Sequence, residues 1–183
     1  MNKSECRKLV MTKVKLLTKD YKLRASKKVC DKLARLSCFS NSKVVMCYRN
    51  TENEIDVDLL ALALQKENKL VCFPKMVNDQ LVAFYPRNNE FERGKFDILE
   101  PDISSSVQIE KEAIDVIIVP VVAFDKKCHR LGHGKGYYDR YLADYKGLKI
   151  GVGFKQQYVK QLPIDDCDIQ LDMIITNLEK YHK

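Results

Sequence analysis

The chain has 183 residues, 45% hydrophobic and 31% charged, with Lys and Arg outnumbering Asp and Glu 32 to 25 for a formal net charge of +7. That length suits one domain with a substantial core, and that balance excludes an intrinsically disordered chain. No apolar run reaches the roughly 18–20 residues of a membrane span, and the lysine-rich N-terminus lacks a signal-peptide core, so a cytoplasmic protein is expected. The basic charge suits polyanions such as nucleic acid or a nucleoside triphosphate. It is spread through the sequence without an arginine-rich block, a recognition helix or an aromatic stacking platform, so nucleic-acid binding is not expected. Seven scattered cysteines include no C-x-x-C pair. They read as buried thiols in a reducing compartment, not as a disulfide framework or a zinc knuckle.

Two helices are expected first. Ser4 is placed to cap one with Cys6, Val10, Val14 and Leu17 along a face, and Leu23, Ser26, Cys30 and Leu33 repeat the spacing in the next. A strand–helix rhythm follows: a strand over 44–48, a helix from Asp56 carrying Leu59, Leu60, Ala63 and Leu64, and a strand over 70–73 stopped by Pro74. Residues 81–85 read as a strand before a polar excursion containing Gly94 and Pro101. The unbroken apolar run over 116–119 has the pattern of a strand covered on both faces. A helix over 137–145, a strand over 148–154 with Gly151 and Gly153 permitting close approach, and a last strand over 173–176 complete the pattern. Alternation of this kind implies one α/β domain, a layered fold with a mainly parallel central sheet flanked by helices. Ligands of such sheets bind beyond the C-terminal ends of strands, which directs attention to the segments after 45–48 and 116–119.

The second segment contains DKKCHRLGHGKGYYDRYL, from Asp125 to Leu142. Gly132, Gly134 and Gly136 remove side chains at alternate positions, so that backbone N–H groups can converge on an anion. Arg130 and Lys135 supply full charges, and Asp139 can hold a metal that bridges phosphates. The spacing is neither Walker A, because Gly136 follows Lys135, nor G-x-G-x-x-G, because the third glycine comes one position early. By spacing alone a phosphate cradle and a flexible structural turn both remain open.

The string R-L-G-x-G-K-G-Y-Y-D-R-Y-L resembles the signature of the 5-formyltetrahydrofolate cyclo-ligase (5,10-methenyltetrahydrofolate synthetase) family, and IIVPVVAFD before it resembles that family's lead-in. The likeness spans nearly the whole chain. It takes in Lys3 and Arg7, Ser26, YRNTENEID, FPK at 73–75, the G-x-F-x-I-x-E-P run from Gly94 to Pro101, and LPIDDCDIQLDMIIT. Val121, Cys128 and Cys167 depart from the family pattern at positions that flank the site and bear on loop shape.

The resemblance implies roles. Arg130, Leu131, Gly132, His133, Gly134, Lys135, Gly136, Tyr137 and Tyr138 would form the ATP loop, joined by Lys3 and Arg7, with Arg130, Lys135 and Tyr138 at the chemistry. Tyr48, Arg49 and Glu54 would hold the folate, together with His133 to Tyr137, and Asp139 and Asp172 would be Mg²⁺ ligands. Each has a structural alternative: Glu54 as a helix cap, Asp172 as a solvated carboxylate, Lys3 and Arg7 as an exposed helix face, one of the two tyrosines as core. The implied reaction converts 5-formyltetrahydrofolate to 5,10-methenyltetrahydrofolate, with release of ADP and phosphate through a phosphorylated formyl (iminium phosphate) intermediate. A monomer acting on the folate and its polyglutamates is expected. No nucleophilic Ser or Cys is needed, and His129 beside Cys128 reads as a loop pair.

Overall fold

A computed structural model describes residues 1–94 and 98–183. The middle of the run from Gly94 to Pro101 therefore lies outside the described residues. Helix α1 (Lys3–Lys15) is capped by Asn2 and not by Ser4, because Asn2 lies three residues before Glu5: the Asn2 side chain accepts the Glu5 N–H and the Glu5 carboxylate accepts the Asn2 N–H, both at 2.9 Å. The expected face is buried, with Cys6, Val10 and Val14 fully inaccessible. Helix α2 (Lys19–Ala34) buries Ala25, Ser26, Val29, Cys30 and Leu33, while Leu23 is 67% exposed. The apolar stripe there starts at Ala25, so Leu23 lies off the buried face. After the single turn α3 (Cys38–Asn41) come β1 (Val44–Met46) and α4 (Asp58–Lys66), which starts two residues beyond Asp56. The Asp56 carboxylate accepts the Asp58 N–H and so precedes the helix.

Strand β2 (Leu70–Val77) runs through Pro74 instead of stopping at it. Cys72 accepts the Cys47 N–H, so Cys72 and, two residues on, Pro74 face the β1 side, where β1 has already ended at Met46. A missing N–H costs no ladder bond there. Strand β3 (Gln80–Pro86) returns antiparallel to β2, and β4 (Phe91–Arg93) and β5 (Leu99–Pro101) make a small hairpin of their own. Then follow β6 (Ser106–Ile109), β7 (Val116–Pro120), the two-residue pair β8 (Ala123–Phe124) and β9 (Arg130–Leu131), α5 (Tyr137–Leu142), β10 (Leu148–Gly153), β11 (Met173–Thr176) and β12 (Lys180–His182).

The main sheet has the order β12-β11-β10-β7-β1-β2-β3-β6. Its five central strands are parallel, and β12, β3 and β6 are antiparallel additions at the two ends. The period-2 alternation of β7 divides the core: Val116 and Ile118 pack with α1, α2 and α4, while Ile117 and Val119 face the layer containing Leu142 and Tyr145 of the α5 region. Each such Val or Ile contributes roughly 1.5–3 kcal/mol by leaving water. A Cβ on Gly153 would lie 2.7 Å from Val121, and one on Gly151 would lie 2.6 Å from Leu171. The two glycines do permit a close approach, and Val121 is what fills the space above Gly153.

From β1 the chain crosses to β2 on one side, whereas β7 lies on the other. Loops leaving the C-terminal ends of β1 and β7 therefore diverge and leave a crevice, the place where open parallel sheets bind ligands. No helix among the described residues is long and apolar enough to cross a membrane.

Candidate active site

The crevice is a cleft of about 1110 Å³ whose walls include Lys3 and Arg7 of α1, Tyr48, Arg49 and Glu54 after β1, and residues 130–140. The glycines have separable jobs. A Cβ on Gly132 would sit 2.7 Å from the Arg130 guanidinium, so that glycine makes room for a buried cation. Gly134 (φ +95°) and Gly136 (φ +68°) adopt backbone that L side chains resist, and Gly136 leads directly into α5. Arg7 seals the loop from above. Its Nε donates to the Gly132 carbonyl at 2.7 Å, and its guanidinium lies 3.3–3.5 Å from where a Cβ on Gly134 would be.

Arg130 is only 2% exposed at its side chain and donates to Asp139 Oδ1 at 3.1 Å. Burial lowers its pKa, and Asp139 opposes that by holding the charge in place. The Arg130 Nε and the Tyr138 hydroxyl are buried without a protein partner among the described residues, and the guanidinium lies 5.5 Å from the Tyr138 ring centre. Burial pushes the Tyr138 pKa far up, so the phenol stays a neutral donor. Buried polar atoms left unpaired beside a cleft are what a polar ligand would satisfy.

Lys3 pairs with Asp165 at 2.7 Å and with Asp168, tying the start of α1 to the 165–168 loop. Burial alone would lower its pKa, but the two carboxylates outweigh it and the net shift is upward. Lys135 is exposed. Among the described residues Arg7, Lys135 and Arg140 have no carboxylate partner; Arg140 donates instead to the backbone oxygens of Lys135 (3.0 Å) and Asp79 (3.5 Å). Three uncompensated cations thus surround the glycine loop. The Tyr137 hydroxyl reaches Asp79 at 3.3 Å, on the tip of the β2–β3 hairpin, and the buried Leu131 anchors the loop through its carbonyl, 2.8 Å from the Val122 N–H.

On the opposite wall Glu54 is nearly buried. Its Oε2 accepts the Thr51 N–H at 2.8 Å and its Oε1 lies 3.0 Å from His133 Nε2. Tyr48 spends its hydroxyl on the Ile55 carbonyl at 2.6 Å, leaving its ring for packing. The Arg49 guanidinium is held between the rings of Phe73 (4.6 Å) and Phe91 (4.1 Å) and bonded to Asp58 at 2.6 Å.

Of the residues singled out in the sequence, all but Asp172 meet at this cleft. Asp172 directly precedes β11, a strand parallel to β10 as β7 is, and so sits at the N-terminal edge of the sheet, whereas the glycine loop follows β7 at the other edge. Its carboxylate accepts the Lys149 N–H at 2.8 Å and pairs with the Lys149 ammonium at 3.1 Å. The structure therefore does not bring Asp172 and Asp139 to one site. His129 bonds Asp125 at 3.0 Å and makes no dyad with Cys128, whose buried thiol is pushed up to about 11. The sequence reading gave no role to Thr51, Lys75, Arg140, Asp165 or Asp168, all of which line the cleft. Lys75, 8% exposed, pairs with Glu92 and donates to the Pro101 carbonyl at 2.9 Å. The three acids of the string DDCD, so close together, were the available signal for Asp165 and Asp168.

The donor set fits a divalent ion in one way. Among the described residues no group of three metal-ligating side chains converges. Asp139 Oδ1 accepts from Arg130 and from the Ile169 N–H at 3.3 Å, while Oδ2 has no protein partner among the described residues. A single free carboxylate oxygen suits Mg²⁺ that arrives on phosphates and keeps several waters.

Residues 1–177 match the model of the 5-formyltetrahydrofolate cyclo-ligase family. The 5-formyltetrahydrofolate cyclo-ligase of Mycoplasma genitalium is 34% identical over 181 residues, covering 97% of this chain and 99% of that protein. Among solved structures, 5,10-methenyltetrahydrofolate synthetase of Aquifex aeolicus aligns at TM-score 0.89 and 36% identity over 100% of this chain and 93% of that one. The Mycoplasma pneumoniae synthetase aligns at TM-score 0.80 and 29% identity over 97% and 99%. The matched family extent, the shared fold and a glycine loop set at the parallel-sheet crevice agree: this chain belongs to the 5-formyltetrahydrofolate cyclo-ligase family.

Proposed function

We propose that the cleft binds ATP and 5-formyltetrahydrofolate side by side and converts the latter to 5,10-methenyltetrahydrofolate, releasing ADP and phosphate. The observation that carries this reading is the pairing of two unlike walls. One is a glycine loop ringed by Arg7, Lys135 and Arg140, cations with no carboxylate partner among the described residues; the other presents the nearly buried Glu54. The first suits a polyphosphate and the second a pterin, whose ring N–H groups a carboxylate accepts.

A formamide oxygen is a poor leaving group, so N10 cannot close on the formyl carbon and expel it unaided. Transfer of the γ-phosphoryl group to that oxygen gives an iminium phosphate. N10 then attacks the carbon, the C–O bond breaks, phosphate leaves and the N10 proton is lost. Phosphoryl transfer needs in-line positioning and charge neutralisation more than covalent help. Lys135, exposed and without a carboxylate partner among the described residues, follows the γ-phosphate; Arg130, fixed by Asp139 and buried, neutralises charge from below; and loop amides between Gly132 and Gly136 cradle the rest. Lys3 and Arg7 hold the nucleotide from α1, with Leu131 seating the loop. The Tyr138 hydroxyl donates into the reacting region. His133, Gly134, Lys135, Gly136 and Tyr137 face both ligands, while Tyr48 and Arg49 shape the folate wall.

Mg²⁺ carried on the phosphates would bind Asp139 Oδ2 and spread the negative charge that develops on transfer. Asp172 takes no part in that site. The enzyme acts as a cytoplasmic monomer, and its excess basic charge favours polyglutamate forms of the substrate. The test is direct: purified protein mixed with Mg·ATP and 5-formyltetrahydrofolate should develop the near-ultraviolet absorbance of the conjugated product, and only when ATP is present. No product with both substrates would overturn the proposal.

A further inference from the structure

We infer that His133 sets the folate affinity of the cleft by competing with the substrate for Glu54. This rests on the reading of Glu54 as the acid that takes the pterin. The Glu54 carboxylate is 8% exposed and both its oxygens are engaged, Oε2 by the backbone N–H of Thr51 and Oε1 by His133 Nε2 at 3.0 Å. The first partner is fixed in the loop after β1. The second is a side chain 56% exposed on the glycine loop, 79 residues away in sequence. His133 is therefore the partner that can leave, and a pterin that takes Oε1 of Glu54 displaces it.

The contact also crosses the cleft from the phosphate wall to the folate wall, so it straps the two together before substrate arrives. The charged groups facing the ring are Glu54 from the loop after β1, Arg7 from α1 and Arg130 from β9. The hydrogen bond to Glu54 is the largest influence and raises the His133 pKa, burial lowers it, and the two arginines lower it further, with a net upward shift. The sign follows. Below the raised pKa His133 is an imidazolium held by Glu54, and a substrate that separates the two must also release a proton. Above it the strap is a neutral hydrogen bond and yields more easily. Affinity for the folate should rise with pH.

A titration of the full-length protein with 5-formyltetrahydrofolate, without ATP, measures this. Between about pH 8 and about pH 6 the wild-type Kd should weaken roughly three- to tenfold, as one proton must be released on binding. His133→Ala should bind with a Kd nearly independent of pH in that window. A flat wild-type profile, a wild-type slope retained in His133→Ala, or affinity that strengthens as pH falls would each overturn the inference. Glu54→Gln at about pH 8 separates the two levels. Should its Kd equal that of wild type, Glu54 does not hold the folate, and both readings fall. Should it bind more weakly while wild type shows no pH dependence, only the competition by His133 is removed.

Discussion

Replacing Asp139 in two ways separates its structural duty from its chemical one. Asp139 Oδ1 is the partner of an Arg130 side chain only 2% exposed, so Asp139→Ala leaves a buried guanidinium without its nearest counter-charge. Removing one member of a buried pair costs about 3–5 kcal/mol. Asp168 also acts on Arg130 electrostatically, which places the expected loss at the lower end, about 3 kcal/mol. For a chain of this length each kcal/mol lowers Tm by about 2–4 °C, giving a fall of roughly 6–12 °C. Asp139→Asn keeps an amide oxygen for Arg130 and for the Ile169 N–H, so its Tm should drop by no more than about 4 °C, the value of a weakened hydrogen bond. It nevertheless loses the anionic oxygen proposed to meet the phosphate-borne Mg²⁺, and turnover should fall at least about a hundredfold. Thermal denaturation followed by circular dichroism reads the first effect, and the ATP-dependent appearance of methenyltetrahydrofolate reads the second. An unchanged Tm in Asp139→Ala, or near-normal turnover in Asp139→Asn, would refute the reasoning.

Two further variants bear on the same site. Lys135→Ala removes an exposed ammonium with no carboxylate partner among the described residues, so Tm should stay within about 2 °C while turnover falls at least about a hundredfold; retained turnover would remove its role. Asp172→Asn weakens the link to Lys149 at the far edge of the sheet and should lower Tm by a few degrees, about 1 kcal/mol, with a much smaller loss of turnover than Asp139→Asn. Equal losses in the two variants would return Asp172 to the metal site.

The glycine loop was legible because its message is written in backbone: alternate glycines announce positive φ and close approach, and Gly134 and Gly136 show the first while Gly132 shows the second. The apolar run of β7 was legible for a similar reason, since a strand covered on both faces has no polar phase to confuse. Pro74 was misleading because a local rule about N–H groups cannot know that the neighbouring strand has ended. The short strands β8, β9 and β12 were hidden, since two or three residues carry too little alternation to stand out.

Sequence likeness assigned Asp172 and Asp139 together, yet in a parallel sheet a residue entering a strand and a loop leaving one lie at opposite edges. The contacts that finish the site were beyond any local reading. Lys3 to Asp168, Arg7 to Gly132 and His133 to Glu54 join residues 165, 125 and 79 positions apart, and only the sheet topology brings them together. His129 was open to the eye as a partner of Cys128, its neighbour, but the turn over 125–129 aims its ring at Asp125.

The decisive measurement is calorimetric titration of the purified protein with Mg·ATP, carried out with and without 5-formyltetrahydrofolate. Saturable binding at one site per chain, weakened strongly in Lys135→Ala, is the expected result. No heat under either condition would mean that the backbone from Arg130 to Asp139 does not enclose a triphosphate, and the enzymatic reading of the cleft would fail with it.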